Sequence, residues 1–139
     1  MGYCMTIEDQ EFLIKKKNMA GALAAIKAIA PHEDRARNYF SWVDTKEYQA
    51  ADTLEDALMA WRWPPYMNKS ANPKGEIVNL EFDGEKSGDE EALFRAIAPF
   101  VESGSFIEMR GEDGDRWRWL FHKGELHEIY PEIVWPKPS

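Results

Sequence analysis

Residues 106–130, FIEMRGEDGDRWRWLFHKGELHEIY, decide the fold, because two turn signals divide this stretch into three short segments. Asp113-Gly114 and Lys123-Gly124 are dipeptides of the kind that join antiparallel strands. The stretch is therefore predicted to be a three-strand antiparallel meander with Arg116–His122 in the middle. Since side chains alternate along a strand, one face holds Trp117, Trp119 and Phe121, and the other holds Arg116, Arg118, Leu120 and His122.

The length of the first turn decides which residues join the tryptophans on this aromatic face. Two-residue turns would place Glu108 and Glu128 there, and the face would then suit a solvated or partner-bound surface. A loop of three or five residues within 111–115 would instead bring Ile107 and Met109 to the aromatic face and make it the core face. Both arrangements stay open, because large aromatic side chains are usually buried, yet they also dominate protein interfaces.

The rest of the chain alternates between predicted helices and strands. Apolar spacing and capping residues indicate strands near 5–14, 39–43 and 77–82 and helices near 19–30, 54–61 and 90–101. This order predicts a single α+β domain over residues 1–139, with helices packed on one face of a largely antiparallel sheet. A ferredoxin-like arrangement of βαβ units is one way to build such a domain.

Two finer features follow from local composition. Residues 5–44 and 76–111 form a weak pseudo-repeat, since each contains the run Ala-Ile-Ala-Pro after a predicted strand. Residues 66–75 are polar and rich in turn-forming residues, and are therefore predicted to be a flexible linker. A chain of 139 residues is still short enough to fold around one core.

The net charge of −8 is concentrated in the second half of the chain. Residues 76–139 contain seven Lys and Arg against fifteen Asp and Glu, whereas residues 1–75 are balanced. Such a surface repels phosphate backbones, so direct nucleic-acid binding is not expected. It attracts a basic protein and speeds the encounter with it.

The compartment is predicted from cysteine usage and hydropathy. Cys4 is the only cysteine, so no internal disulfide can form. No apolar run is long enough to span a bilayer, and we find no secretory signal. A cytoplasmic protein without membrane contact is therefore expected.

Metal, cofactor and catalytic motifs are weak in this sequence. His122, Glu125 and His127 could share one strand face near a hairpin tip, but no fourth ligand is evident, so no metal site is predicted. The acidic pair Glu90-Glu91 suits a helix first turn and needs no catalytic role. With no phosphate-binding loop, nucleophile elbow or Cys-x-x-Cys motif, we predict no cofactor and no catalytic residue.

The function predicted from these features is that of a non-enzymatic, acidic protein-binding module. An inhibitor, immunity or anti-defence protein that docks on the basic surface of a nucleic-acid-processing partner would have this character. The predicted partner-binding residues lie in the meander and combine steering carboxylates with anchoring side chains: Glu108, Glu112, Asp113, Asp115, Trp117, Arg118, Trp119 and Glu128.

Two alternatives have different consequences for the sheet. A small-molecule-binding domain or enzyme could use a pocket between sheet and helices lined by Trp42, Trp61, Trp63 and Tyr66. A homo-oligomeric structural protein, most simply a homodimer, could instead bury the second sheet face against its own copy.

Overall fold

The computed structural model describes residues 3–30, 43–66, 75–84 and 88–138. Six strands and four α-helices are present in these ranges, in the chain order β1 (Met5–Glu11), β2 (Leu13–Ile14), α1 (Met19–Lys27), α2 (Thr45–Gln49), α3 (Leu54–Ala60), β3 (Ile77–Val78), α4 (Glu90–Ile97), β4 (Phe106–Gly111), β5 (Arg116–His122) and β6 (Glu125–Ile129). Short 3₁₀ turns at Lys16–Asn18 and Ala98–Phe100 adjoin α1 and α4.

The main sheet has four strands in the order β1-β4-β5-β6, and all neighbouring strands are antiparallel. Helices pack against it, which confirms the predicted α+β class and the C-terminal meander. The described strands do not have the ferredoxin-like order, because β1 and β4, which the helices connect, are adjacent and antiparallel, whereas a split βαβ unit joins two parallel strands with a third strand between them. The chain re-enters the sheet at Phe106, opposite the end of β1 at Glu11, so β4 runs back along β1.

The turn between β4 and β5 spans five residues and settles the register of the meander. Arg110 pairs with Arg116, so residues 111–115 form the loop, and the Gly111 amide donates to the Asp115 carbonyl at 2.8 Å. The two-residue version of this turn was wrong, and the five-residue alternative is confirmed. The second turn has two residues as predicted, since Lys123 and Gly124 both have positive φ, the geometry of a type I′ hairpin.

The aromatic face of the sheet is the core face. Ile107 and Met109 pair with Trp119 and Trp117 and are fully buried, and Phe121 is also fully buried. The ring of Phe94 on α4 lies 5.0 Å from the ring of Trp119 and 5.8 Å from that of Phe121. Edge-to-face and tilted contacts of this kind add to the apolar burial that joins α4 to the sheet.

Several predictions concern residues outside the described ranges. Trp42, most of the predicted strand near 39–43 and most of the predicted linker at 66–75 lie there. The pseudo-repeat stays a prediction, since its first copy includes residues 31–42.

Candidate binding cleft

An open cleft of about 800 Å³ lies at the end of the core face. We call it the Trp117 cleft and define it by its aromatic and acidic lining residues, which are Tyr3, Trp117, Trp119, Tyr130, Glu90, Glu91, Asp115 and Glu128. Strands β5 and β6, the first turn of α4 and the 111–115 loop all contribute to it. The cleft forms where the helical cover of the sheet ends, leaving Trp117 half-buried while Trp119 is only 5% exposed.

The aromatic walls are held by packing within the protein. Trp117 meets Trp119 edge-to-face, with ring centroids 5.8 Å apart and planes at 83°. The Trp117 Nε1 atom is buried and has no hydrogen-bond partner among the described residues. Tyr130 directly follows β6 and is 65% exposed. The cleft therefore combines a fixed indole wall with an exposed phenol at its rim.

Glu90 is the most buried carboxylate of the cleft, with 3% of its surface exposed. It accepts hydrogen bonds from the Gly88 amide at 2.7 and 3.1 Å, and the Arg62 Nη2 atom lies 3.4 Å from its Oε2 atom. Burial raises the pKa of Glu90, while the Gly88 amide and the Arg62 charge act in the opposite direction. The position at the start of α4 also favours a negative charge.

The other carboxylates of the cleft lie at its rim. The Tyr130 hydroxyl donates to Glu128 at 2.6 Å, and this hydrogen bond raises the pKa of Tyr130. The Tyr3 hydroxyl donates to Asp115 at 3.3 Å, and Glu91 pairs with Arg95 on the exposed side of α4. These hydrogen bonds orient the carboxylates and leave further lone pairs for a ligand.

The lining of the cleft has a net negative charge, although Glu90 and Glu91 are paired with Arg62 and Arg95. Its described lining residues include four carboxylates but only one cationic side chain, that of Arg116. Carboxylates next to aromatic rings recognise ammonium and guanidinium groups, through charge-assisted hydrogen bonds and cation–π contacts. The chemistry of the cleft therefore favours a cationic ligand.

The Trp117 cleft contains only some of the predicted partner-binding residues. Asp115, Trp117 and Glu128 line the cleft, and Trp119 reaches it from the core. Glu112 and Asp113 lie in the adjoining loop and are exposed, and Glu112 accepts a hydrogen bond from the Cys4 amide at 3.1 Å.

Glu108 and Arg118 do not share a face with the tryptophans, which corrects the expectation for Glu108. The five-residue loop shifts the pairing by one residue, and this moves Glu108 to the outer face. There the Arg118 Nε atom lies 2.8 Å from Glu108, and its guanidinium lies 4.3 Å from the centre of the Phe106 ring. Both side chains already have partners within the protein.

Replacing Arg118 by alanine is therefore expected to change stability only slightly. Its side chain is 44% exposed, and exposed ion pairs contribute little to stability. We expect the free energy of unfolding, measured by urea denaturation, to fall by less than about 1 kcal/mol. A loss above about 2 kcal/mol would show that the outer face is held together by this residue.

The described members of the alternative tryptophan pocket are not gathered in an open site. Trp61 is 1% exposed and Trp63 is fully buried, because they pack against core aromatic rings such as Tyr48 and Phe94. Tyr66, in contrast, has 56% of its surface exposed to solvent. This pocket was a wrong expectation for the two buried tryptophans, which are core residues.

Sequence reasoning missed half of the cleft and a second exposed feature. Tyr3, Glu90, Glu91 and Tyr130 were not predicted as site residues, since only the tertiary fold places them beside Trp117. Ile133, Val134 and Trp135 are 82%, 77% and 85% exposed. An apolar run bracketed by prolines was the signal in the sequence that could have revealed this second feature.

Metal-ligating side chains do not gather in the part of the chain that the structure describes: it holds no group of three or more that could bind a metal ion. The rings of His122 and His127 lie 6.4 Å apart, and His127 lies 3.7 Å from Glu125. Within the same residues, no helix has the length and apolar character needed to cross a membrane.

Comparisons with protein-family models, curated proteins and solved structures give no match to this chain. Its function therefore has to be inferred from the chemistry of the cleft.

Proposed function

We propose that this protein is an acidic, non-enzymatic binding module that docks on a basic surface of another protein. The Trp117 cleft supports this proposal, because four carboxylates surround an aromatic wall in an open concavity. A lysine or arginine side chain of the partner would enter the cleft, with its charge near the carboxylates and its alkyl chain along Trp117.

The charge of the surrounding surface supports the same partner class. Glu112 and Asp113 lie in the loop that leads to Asp115, and all three side chains are exposed. Their field would accelerate encounter with a positively charged partner, while the contacts in the cleft would slow its release. Enzymes that act on nucleic acids carry basic surfaces of this kind, so an inhibitor or immunity protein of such an enzyme fits the proposal.

A small cationic molecule is the second candidate ligand. The volume of about 800 Å³ lies within the range of small-molecule sites. N-acetyl-arginine amide tests this candidate: tight binding of this compound alone would favour a small-molecule site, whereas a protein-docking site needs the additional contacts of a basic surface.

Reversing two carboxylates of the cleft tests the proposed function. We expect Glu91→Lys combined with Glu128→Lys to weaken binding of a deca-arginine peptide at least tenfold, because both residues line the cleft. Fluorescence anisotropy at two salt concentrations measures the dissociation constant.

The matched control variant combines Glu47→Lys with Glu55→Lys, which changes the net charge equally at exposed sites on α2 and α3. It should weaken binding less than about threefold. Equal weakening by both pairs would contradict the proposal, since the peptide would then respond only to net charge. Proteins captured from a lysate by the wild type and the control, but not by the cleft variant, would then identify the partner.

A further inference from the structure

An apolar segment of the chain lies fully outside the core. We call residues 131–138 the Trp135 segment; it directly follows Tyr130 and has the sequence Pro-Glu-Ile-Val-Trp-Pro-Lys-Pro. Ile133, Val134 and Trp135 are each more than three-quarters exposed. Single exposed apolar residues are normal on a protein surface, but contiguous apolar patches are typical of surfaces that contact a partner.

The Trp135 segment and the Trp117 cleft complement each other in chemistry. The segment offers a large indole ring and, two residues later, the ammonium group of Lys137. The cleft offers aromatic walls and an excess of carboxylates in a space of about 800 Å³. The indole can therefore pack against the aromatic walls, and the ammonium group can pair with the carboxylates.

The segment does not fill the cleft of its own chain. Tyr130 and Pro131 line that cleft, so the segment leaves from its rim. An extended chain advances about 3.3 Å per residue, so Trp135 can reach up to about 13 Å from Pro131. Its 85% exposure shows that it lies outside the cleft.

We infer that the Trp135 segment of one copy docks in the Trp117 cleft of a second copy, and that the exchange is reciprocal. Such an arrangement is a two-fold symmetric dimer in which each contact occurs twice. Two copies of net charge −8 repel each other, but the Trp135 segment carries one Glu and one Lys and is neutral. It can therefore approach an acidic cleft, with Lys137 directed to the carboxylates.

The size of the contact predicts a modest affinity. Three large apolar side chains in each of two exchanged segments bury on the order of 1,000 Å² in total, the low end for specific protein interfaces. We therefore expect dimers to form in the micromolar range. This inference does not depend on the proposed function. If both are correct, the second copy and the basic partner compete for the same cleft.

Sedimentation velocity from 5 to 500 µM tests the dimer with three proteins. The wild type should shift from monomer to dimer with concentration, and Trp135→Ser should stay monomeric. Tyr66→Ser removes another exposed aromatic ring outside the cleft and should dimerise as the wild type does. A monomeric wild type at 500 µM, or a dimer that survives Trp135→Ser, would overturn the inference.

A peptide experiment tests the contact itself. The labelled peptide IYPEIVWPKP, residues 129–138, should bind the Trp135→Ser protein saturably in the micromolar range, and Glu91→Lys with Glu128→Lys should weaken it at least fivefold. The same peptide with serine at the tryptophan position should not bind. If this peptide does not bind while the cleft variant still weakens deca-arginine binding as expected, only the dimer is overturned. If the peptide binds as expected while the cleft and control variants weaken deca-arginine binding equally, only the proposed function is overturned.

Discussion

Replacing Trp63 by alanine is expected to lower the free energy of unfolding by about 4 kcal/mol. Its side chain is fully buried and lies at the centre of an aromatic cluster. Its ring stacks on that of Phe82 at 4.7 Å and meets those of Phe94 and Trp119 edge-to-face at 5.1 and 5.9 Å. The substitution leaves a cavity between the helices and the sheet.

Urea denaturation followed by tryptophan fluorescence measures this loss, and Tyr66→Ala is the control. Tyr66 is 56% exposed, so its replacement should change stability by less than about 1 kcal/mol. If Trp63 formed the wall of a ligand pocket, its replacement would lower the free energy of unfolding much less than the replacement of a core residue does. A loss below about 1.5 kcal/mol would therefore restore the tryptophan-pocket hypothesis.

Replacing Arg62 by alanine is expected to lower the free energy of unfolding by about 2 kcal/mol at pH 7. The Arg62 side chain is 15% exposed and lies 3.4 Å from Glu90, whose side chain is only 4% exposed. Without the guanidinium, the Glu90 carboxylate stays buried and loses the opposite charge that offsets its cost of desolvation. Both Arg and Ala carry a Cβ, so the backbone strain at φ 69° is the same in the two proteins.

The loss of unfolding free energy in Arg62→Ala should increase with pH. Burial raises the pKa of Glu90 above 4.5, so ionisation of this group favours the unfolded state. Protonated Glu90 therefore stabilises the folded state. This contribution is complete at a pH below the pKa of Glu90 in the unfolded chain, and it is lost as the pH rises through the pKa of Glu90 in the folded protein. Removing Arg62 raises that pKa further, so the loss should be about 1 to 2 kcal/mol larger at pH 7 than at pH 4.

Glu90→Gln supplies the control for this pH dependence. The double variant Arg62→Ala, Glu90→Gln should show the same loss at both pH values, because no buried carboxylate remains to titrate. Urea titrations of the wild type, both single variants and the double variant give the coupling as a thermodynamic cycle. A loss of stability in Arg62→Ala that does not vary with pH would show that Arg62 acts through contacts other than Glu90, such as its contact with the Phe82 ring.

The two turns of the meander show how far local sequence determines register. Lys123-Gly124 forms the expected two-residue turn, because both residues adopt the positive φ that this turn type requires. At the first turn, Asp113-Gly114 lies inside a five-residue loop. A side chain at Gly111 would collide with the Tyr3 ring, a contact made across more than a hundred residues of chain, and no local pattern can predict it.

The candidate cleft was predictable only in part for the same reason. Asp115, Trp117 and Glu128 lie in the meander, the first in its turn and the other two on its strands, and were expected as site residues. Glu90 and Glu91 were interpreted as a helix first turn, which is correct, but their position beside Trp117 depends on how α4 packs across the sheet. Periodicity assigns a residue to a face of its own element and carries no information about the element opposite.

The sequence by itself determined the α+β class, the meander, the second turn and the acidic second half of the chain. Each of these depends on interactions between residues close in the chain, such as turn geometry and side-chain alternation, or on composition alone. The tertiary structure decided which sheet face is the core, because one residue more or less in the loop at 111–115 exchanges the faces. It also decided that Trp117 borders an acidic cleft while Trp63 is core, since burial depends on contacts between residues distant in the sequence.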